Sequence, residues 1–187
     1  MFSGQFKLDK MLKLLNVIRH DDQRGFFGET YSRRRYADMG VDVEFVQDNH
    51  SLSRAVGTLR GLHFQAPPSA QGKLVRCGRG VIFDVAVDIR RGSPTYGQWE
   101  GYELTAENGH QLYVPAGFAH GFVTLEPDSE IVYKCTDYYA PETEGVVRWD
   151  SCGIEWPLTC GPILGDKDAI APALTEFESP FIYGENS

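Results

Sequence analysis

The sequence predicts an all-β chain, folded as a sandwich or barrel with only short peripheral helices. Three observations carry that prediction. Short runs of alternating apolar and polar residues recur about every ten residues, with almost no helical period between them. Twenty glycines and ten prolines among 187 residues supply the many turns such a fold needs. The hydrophobic and charged fractions, 42% and 24%, are those of a soluble chain able to bury one core.

In chain order, residues 1–20 read as an N-terminal arm leading into the core. Residues 29–39 read as one short helix stopped by Gly40, since glycine accepts the left-handed backbone that ends helices. Beyond that point the pattern is short strands. Residues 81–89 show the clearest alternation: Val81, Phe83, Val85, Val87 and Ile89 share one face, while Ile82, Asp84, Ala86 and Asp88 share the other. The apolar stripe must face a second layer, either another sheet or a partner subunit. Asn108–Gly109 predicts a hairpin turn between strands at 102–104 and 111–114. Pro115, Ala116 and Gly117 form a further turn into a strand at 120–125, and 130–136 alternates again with Ile131, Tyr133 and Cys135 on one side. Residues 170–187 read as a C-terminal tail. No repeat, linker or low-complexity tract divides the chain, so residues 1–187 read as one domain.

A formal net charge of −8 disfavours nucleic acid and anionic membrane as partners, yet leaves room for a phosphate-bearing small ligand held by a few Arg and Lys. The longest apolar runs, such as Val85 to Val87, are far shorter than a membrane span, and Lys10, Lys13 and Asn16 interrupt any signal-like apolar start. Cys77, Cys135, Cys152 and Cys160 form no CxxC pair and read as free buried thiols, which suits a reducing cytoplasm. Gly78, Arg79 and Gly80 lack the third glycine of a dinucleotide fingerprint, and no Walker loop, nucleophile elbow or HExxH is present.

The chemistry-bearing candidates are histidines with neighbours of the right type. His63 lies in a strand-like stretch with Gly61 at its centre, and His120 follows a tight turn. A lone strand histidine is most often structural. Here, however, Arg60, Lys73 and Tyr133 stand on strands expected to face them, giving a base, two cations and a phenol. Strict alternation places Arg60 and His63 on opposite faces. If both serve one pocket, a bulge near Gly61 must re-aim one of them. The spacing from Pro115 through Gly117 to His120 matches the second motif of metal-binding cupins. His63, Phe64 and Gln65 do not supply the histidine pair and carboxylate of the first motif, so metal-free acid–base chemistry fits better.

Several ordered segments resemble one family: 24–31 (RGFFGETY), 46–51 (VQDNHS), 59–65 (LRGLHFQ), 71–76 (QGKLVR), 114–122 (VPAGFAHGF) and 133–139 (YKCTDYY), with Arg148–Asp150 and Lys167–Asp168 completing the set. The family is the dTDP-4-dehydrorhamnose 3,5-epimerases, metal-free members of the cupin superfamily. The resemblance implies a cupin-like double-stranded β-helix, or jelly-roll, barrel that needs no cofactor. It implies His63 as general base with Asp168 as its carboxylate partner, Tyr133 as the acid on the opposite face, and Lys73 and Arg60 as cations beside the sugar's C4 oxygen. It places His120 in the sugar pocket, oriented by Asp84. It assigns Arg24, Glu29, Gln47, Asp48, Asn49, Glu144 and Lys167 to substrate contacts, and Tyr139 to packing against the dTDP-sugar. The substrate implied is a dTDP-4-keto-6-deoxysugar, inverted at C3 and C5 or, in some relatives, at C3 alone. A homodimer is also implied, with the segment from Arg24 to Tyr31 reaching the partner's nucleotide site.

Overall fold

The computed structural model describes residues 12–184. Its strands are β1 (Lys13–Asn16), β2 (Arg19–Asp22), β3 (Gly25–Gly28), β4 (Gln47–Ser53), β5 (Leu59–Gln65), β6 (Lys73–Arg79), β7 (Val81–Asp88), β8 (Trp99–Thr105), β9 (His110–Val114), β10 (Phe118–Thr124), β11 (Ser129–Cys135) and β12 (Glu144–Val146). Two short helices accompany them, α1 (Arg33–Asp38) and α2 (Asp166–Ala169). Ten strands form two five-stranded antiparallel sheets, ordered β1-β9-β6-β11-β4 and β12-β5-β10-β7-β8, and β2 and β3 form a separate hairpin. The sheets face each other without closing into one ladder, which gives the predicted jelly-roll as a sandwich.

From β4 to β12 the chain changes sheet at almost every connection. The Asn108–Gly109 turn forms as expected, with the Asn108 side chain accepting from the amides of Thr105 and His110 and Gly109 at φ +62°. It is not the hairpin the sequence predicts, however: β8 belongs to one sheet and β9 to the other. Turn chemistry dictates a local reversal and leaves the pairing partner to the sheets. Pro115–Gly117 makes the same kind of crossing between β9 and β10.

Between the sheets lies an apolar core drawn from both, including Val75, Leu112 and Ile131 from one and Ile82, Ala86 and Phe122 from the other. The outward stripe on β7 meets a layer the sequence does not predict. Phe83, Val85, Val87 and Ile89 pack under the chain's own C-terminal half, where Trp149, Trp156 and Phe181 lie over them. The expected tail is therefore a structural cover: Phe181 is buried and meets the Phe64 ring edge-on, while Phe177 packs tilted against the same ring. Each such fully buried side chain contributes about 1.5–3 kcal/mol.

The arm is part sheet. Residues 1–11 lie outside the described residues, but β1 pairs along β9 as an edge strand. The helix expected over 29–39 is limited to α1, and Gly40 follows its cap at φ +82°. Thr30 and Tyr31 remain non-helical because the Tyr36 hydroxyl and the Gln111 amide both bond the Thr30 carbonyl. Cys77, Cys135 and Cys152 are buried and free as expected, whereas Cys160 is exposed.

The bulge expected near Gly61 is present. His120 pairs with His63 but Phe122 pairs with Arg60, so Gly61 and Leu62 together oppose Gly121. Gly61 sits at φ +132°, and a Cβ there would lie 2.6 Å from the Gly121 Cα and 2.9 Å from the His120 carbonyl oxygen. Both objections are to backbone, which cannot swing aside. Gly61→Ala is expected to cost at least about 2 kcal/mol by chemical denaturation. Gly78→Ala, where the nearest atoms would be at 3.7 Å, should stay within about 1 kcal/mol. Equal effects would remove the special role of the bulge.

Candidate active site

The bulge has a direct consequence: Arg60 and His63 line the same cavity. That cavity, of about 490 Å³, opens between the two sheets with Phe122 and Ile131 in its lining, where the apolar core ends. This is the size expected for a small-ligand site. One wall carries Arg60, His63 and His120 from β5 and β10; the facing wall carries Lys73 and Tyr133 from β6 and β11. Glu144, Lys167 and Asp168 complete the lining.

Asp168 reaches His63 across 105 positions because the chain before α2 is pinned to the start of β5. The Leu59 amide donates to the Ile163 carbonyl and the Ile163 amide to the Gly57 carbonyl, forming a parallel bridge. His63 Nε2 then lies 2.6 Å from Asp168 Oδ1, and the Gly61 amide donates to Oδ2 at 3.4 Å. Burial acts to raise the Asp168 carboxyl, but the bond from His63, the imidazole charge and the Gly61 amide outweigh it and hold the group below the usual carboxylate value. With Nε2 engaged, Nδ1 is the ring nitrogen left for the cavity.

A second pair stands beside the first. His120, the register partner of His63, has its Nε2 2.8 Å from Oδ1 of the fully buried Asp84. On the facing wall, burial pushes the Tyr133 phenol above its ordinary value, the Cys135 thiol and Glu144 add to this, and Arg60 opposes it. Its hydroxyl has no hydrogen bond among the described residues. Burial lowers the Lys73 ammonium, with Cys135, Asp84 and Glu144 acting the other way. Neither Lys73 nor Arg60 has a carboxylate within ion-pair distance among the described residues; Arg60 Nε reaches only the Ser53 hydroxyl at 3.4 Å. Two cations without counter-carboxylates thus face a cavity that also holds an imidazole–carboxylate pair and an unengaged phenol. Among the described residues no three His, Cys, Asp or Glu side chains gather as metal ligands.

At the mouth, Glu144 Oε1 accepts from Lys167 at 2.7 Å and Oε2 from the Tyr139 hydroxyl at 3.3 Å. Gln47 and Asn49 share the inner face of β4 and are bonded to each other at 3.1 Å. Six assigned residues are absent from the lining of this cavity: Gln47, Asn49 and Tyr139 connect to it through the Tyr139 bond to Glu144, whereas Asp48, Arg24 and Glu29 stand elsewhere. Asp48 alternates to the outer face of β4, where Lys134 holds it at 2.9 Å, so its side chain is turned away from the site. Arg24 lies on the exposed β2–β3 hairpin, paired with Asp22 at 2.5 Å, and Glu29 pairs with Arg35 at 3.5 Å. Ser51 lines the cavity and is missing from the sequence reading, although the alternation through Gln47 and Asn49 points to it.

The family model described as dTDP-4-dehydrorhamnose 3,5-epimerase matches residues 7–176. The chain belongs to the dTDP-4-dehydrorhamnose 3,5-epimerase family. A dTDP-4-dehydrorhamnose 3,5-epimerase from Sinorhizobium fredii is 51% identical over 174 residues, covering 92% of this chain and 89% of its own. One from Salmonella typhimurium is 55% identical over 158 residues, covering 83% and 86%. Among solved structures, a dTDP-6-deoxy-D-glucose-3,5-epimerase from Legionella pneumophila in complex with dTDP-4-keto-L-rhamnose superposes with a TM-score of 0.88 at 44% identity, covering 95% and 94% of the two chains. A 3'-monoepimerase from Streptomyces bikiniensis in complex with dTDP-quinovose gives a TM-score of 0.84 at 36% identity, covering 89% and 85%. Family membership makes the chain an epimerase, a class of isomerase, on the cupin-like jelly-roll that the two sheets display.

Proposed function

We propose that this epimerase converts dTDP-4-dehydro-6-deoxy-D-glucose to dTDP-4-dehydro-L-rhamnose by inverting C3 and C5. The observation that carries the reading is the opposition, across one cavity, of the His63–Asp168 pair and the unengaged Tyr133 phenol. A C–H beside a ketone is a weak acid whose conjugate base places its charge on the C4 oxygen. His63 takes the proton on one face, and Asp168 stabilises the imidazolium that results. Lys73 and Arg60 stabilise the enolate oxygen more than the neutral carbonyl, so they lower the barrier rather than only binding substrate. Tyr133 returns a proton from the other face, and the configuration inverts. Both carbons flank the same ketone, so one pair of walls serves each in turn.

In this reading Lys167 meets the diphosphate, Gln47, Asn49 and Glu144 meet the nucleotide sugar, His120 borders the sugar, and Tyr139 packs against the dTDP end. Relatives near 50% identity carry the 3,5-epimerase name, whereas the Streptomyces bikiniensis monoepimerase is 36% identical, which favours double inversion. Incubation of the enzyme with dTDP-4-keto-6-deoxy-D-glucose in D2O, followed by NMR, is expected to place deuterium at both C3 and C5. Label at C3 alone would make the chain a C3 epimerase instead.

We read residues 1–187 as one domain, since both sheets build the single site, and we place the enzyme in the cytoplasm on its free thiols. No described helix is long and apolar enough to cross a membrane. The working form is a homodimer. Arg24 and Glu29 are absent from the lining of their own chain's cavity and stand on or beside a hairpin whose Phe26 and Phe27 are exposed, which supports a second copy's nucleotide site as their place. Light scattering at micromolar concentration should give twice the mass of one chain; a monomer with full activity would remove the shared-site arrangement.

A further inference from the structure

The segment 136–140 carries Tyr139 to the cavity mouth, yet it belongs to no strand or helix. Its main-chain groups therefore need partners from elsewhere, and glutamine side chains supply them. Gln65, at the end of β5, is almost completely buried. Its Nε2 donates to the Tyr138 carbonyl at 2.9 Å and to the Ser69 carbonyl, and its Oε1 accepts from the Ala140 amide at 2.9 Å. Gln47 Oε1 accepts from the Tyr139 amide at 2.9 Å. The two glutamines together bond main-chain groups of three consecutive residues, 138, 139 and 140. Gln71 adds a bond to the Asp137 carbonyl at 2.7 Å.

From this arrangement we infer that Gln65 is the positioning residue for Tyr139: it holds the aromatic ring at the mouth where the dTDP moiety docks. The inference rests on the reading of Tyr139 given above. Both donors and the acceptor of the Gln65 amide are engaged, and all three bonds go to main chain, two of them flanking Tyr139. A buried amide fully satisfied in this way allows one geometry, which pre-orders a ring that is itself more than half exposed. Gln65 also follows His63 by two positions on the same strand, so the strand that aims the base also fixes the distance from base to nucleotide clamp. Gln65 acts on affinity through Tyr139 and takes no part in proton transfer.

A double-mutant cycle on dTDP binding, read by calorimetry, tests this together with steady-state kinetics. Tyr139→Ala is expected to weaken dTDP about tenfold, the usual worth of a base–aromatic stack. Gln65→Leu should weaken dTDP and raise KM by a similar factor, about tenfold, with kcat and its pH profile changed less than about twofold. In the Tyr139→Ala background Gln65→Leu should add less than about twofold, because the ring it positions is gone. If Gln65→Leu does not fold, Gln65→Glu keeps the volume and the acceptor while removing both donors, and the same cycle is run with it. Full additivity, or a fall in kcat with KM unchanged, overturns the inference. Unchanged dTDP affinity in Tyr139→Ala alone overturns the reading of Tyr139 as well, a distinguishable result.

Discussion

His63→Ala is expected to lower turnover by about 10³-fold or more while leaving dTDP affinity within about threefold, since a positioned general base contributes about 10²–10⁴-fold. In D2O the variant should leave both C3 and C5 unlabelled. Loss of exchange with dTDP affinity kept points to a missing base rather than to lost binding, because the C–H bonds cannot break without a group to receive the proton. Removing the imidazole also strands a buried carboxylate, Asp168, whose remaining bond is the long one from the Gly61 amide. His63→Asn controls for that cost, because its amide can still donate toward Asp168 without acting as a base. Both variants should be equally inactive, with His63→Asn the more stable of the two. Label appearing at either carbon in His63→Ala would move the base elsewhere, and His120, already bonded to Asp84, would be the group to examine.

The parts of this site legible in the sequence are those that depend on local periodicity. Alternation along β7 and β11 put Tyr133 on an inward face, and the conflict between Arg60 and His63 required a bulge, which Gly61 provides. Asp168 was different. No local pattern links it to a histidine 105 positions away; the family resemblance named it, and the parallel bridge of Ile163 to Thr58 is what delivers it. Pairing between sheets was equally hidden. Asn108–Gly109 has the chemistry of a hairpin, yet its two strands lie in different sheets, because a turn specifies a reversal and the partner strand is chosen by burial. Likewise the apolar stripe of β7 announced a covering layer without saying that the C-terminal half of the same chain would supply it. Asp48 marks the limit of motif transfer. It sits inside a matching segment, but the strand's period of two turns its side chain out to Lys134.

Tyr133→Phe is expected to separate the two halves of the reaction. The phenol has no hydrogen bond among the described residues, and its ring stays packed beside the inter-sheet core, so stability should change by no more than about 0.5 kcal/mol. Inverted product, by contrast, should fall by about 10²–10³-fold, the contribution of a positioned acid. His63 and its partner remain intact, so proton abstraction continues and deuterium returned from the same face labels the carbon without inverting it. Substrate recovered from D2O should therefore carry label with its original configuration. Burial keeps the wild-type phenol protonated above its ordinary range, which suits a group that must hold its proton until the enolate forms. Inversion persisting at the wild-type rate would mean that solvent or another group protonates the far face. Loss of both inversion and exchange would mean that Tyr133 is needed to seat the sugar. Label with retention at both carbons is the one outcome that places base and acid on opposite walls of the same cavity.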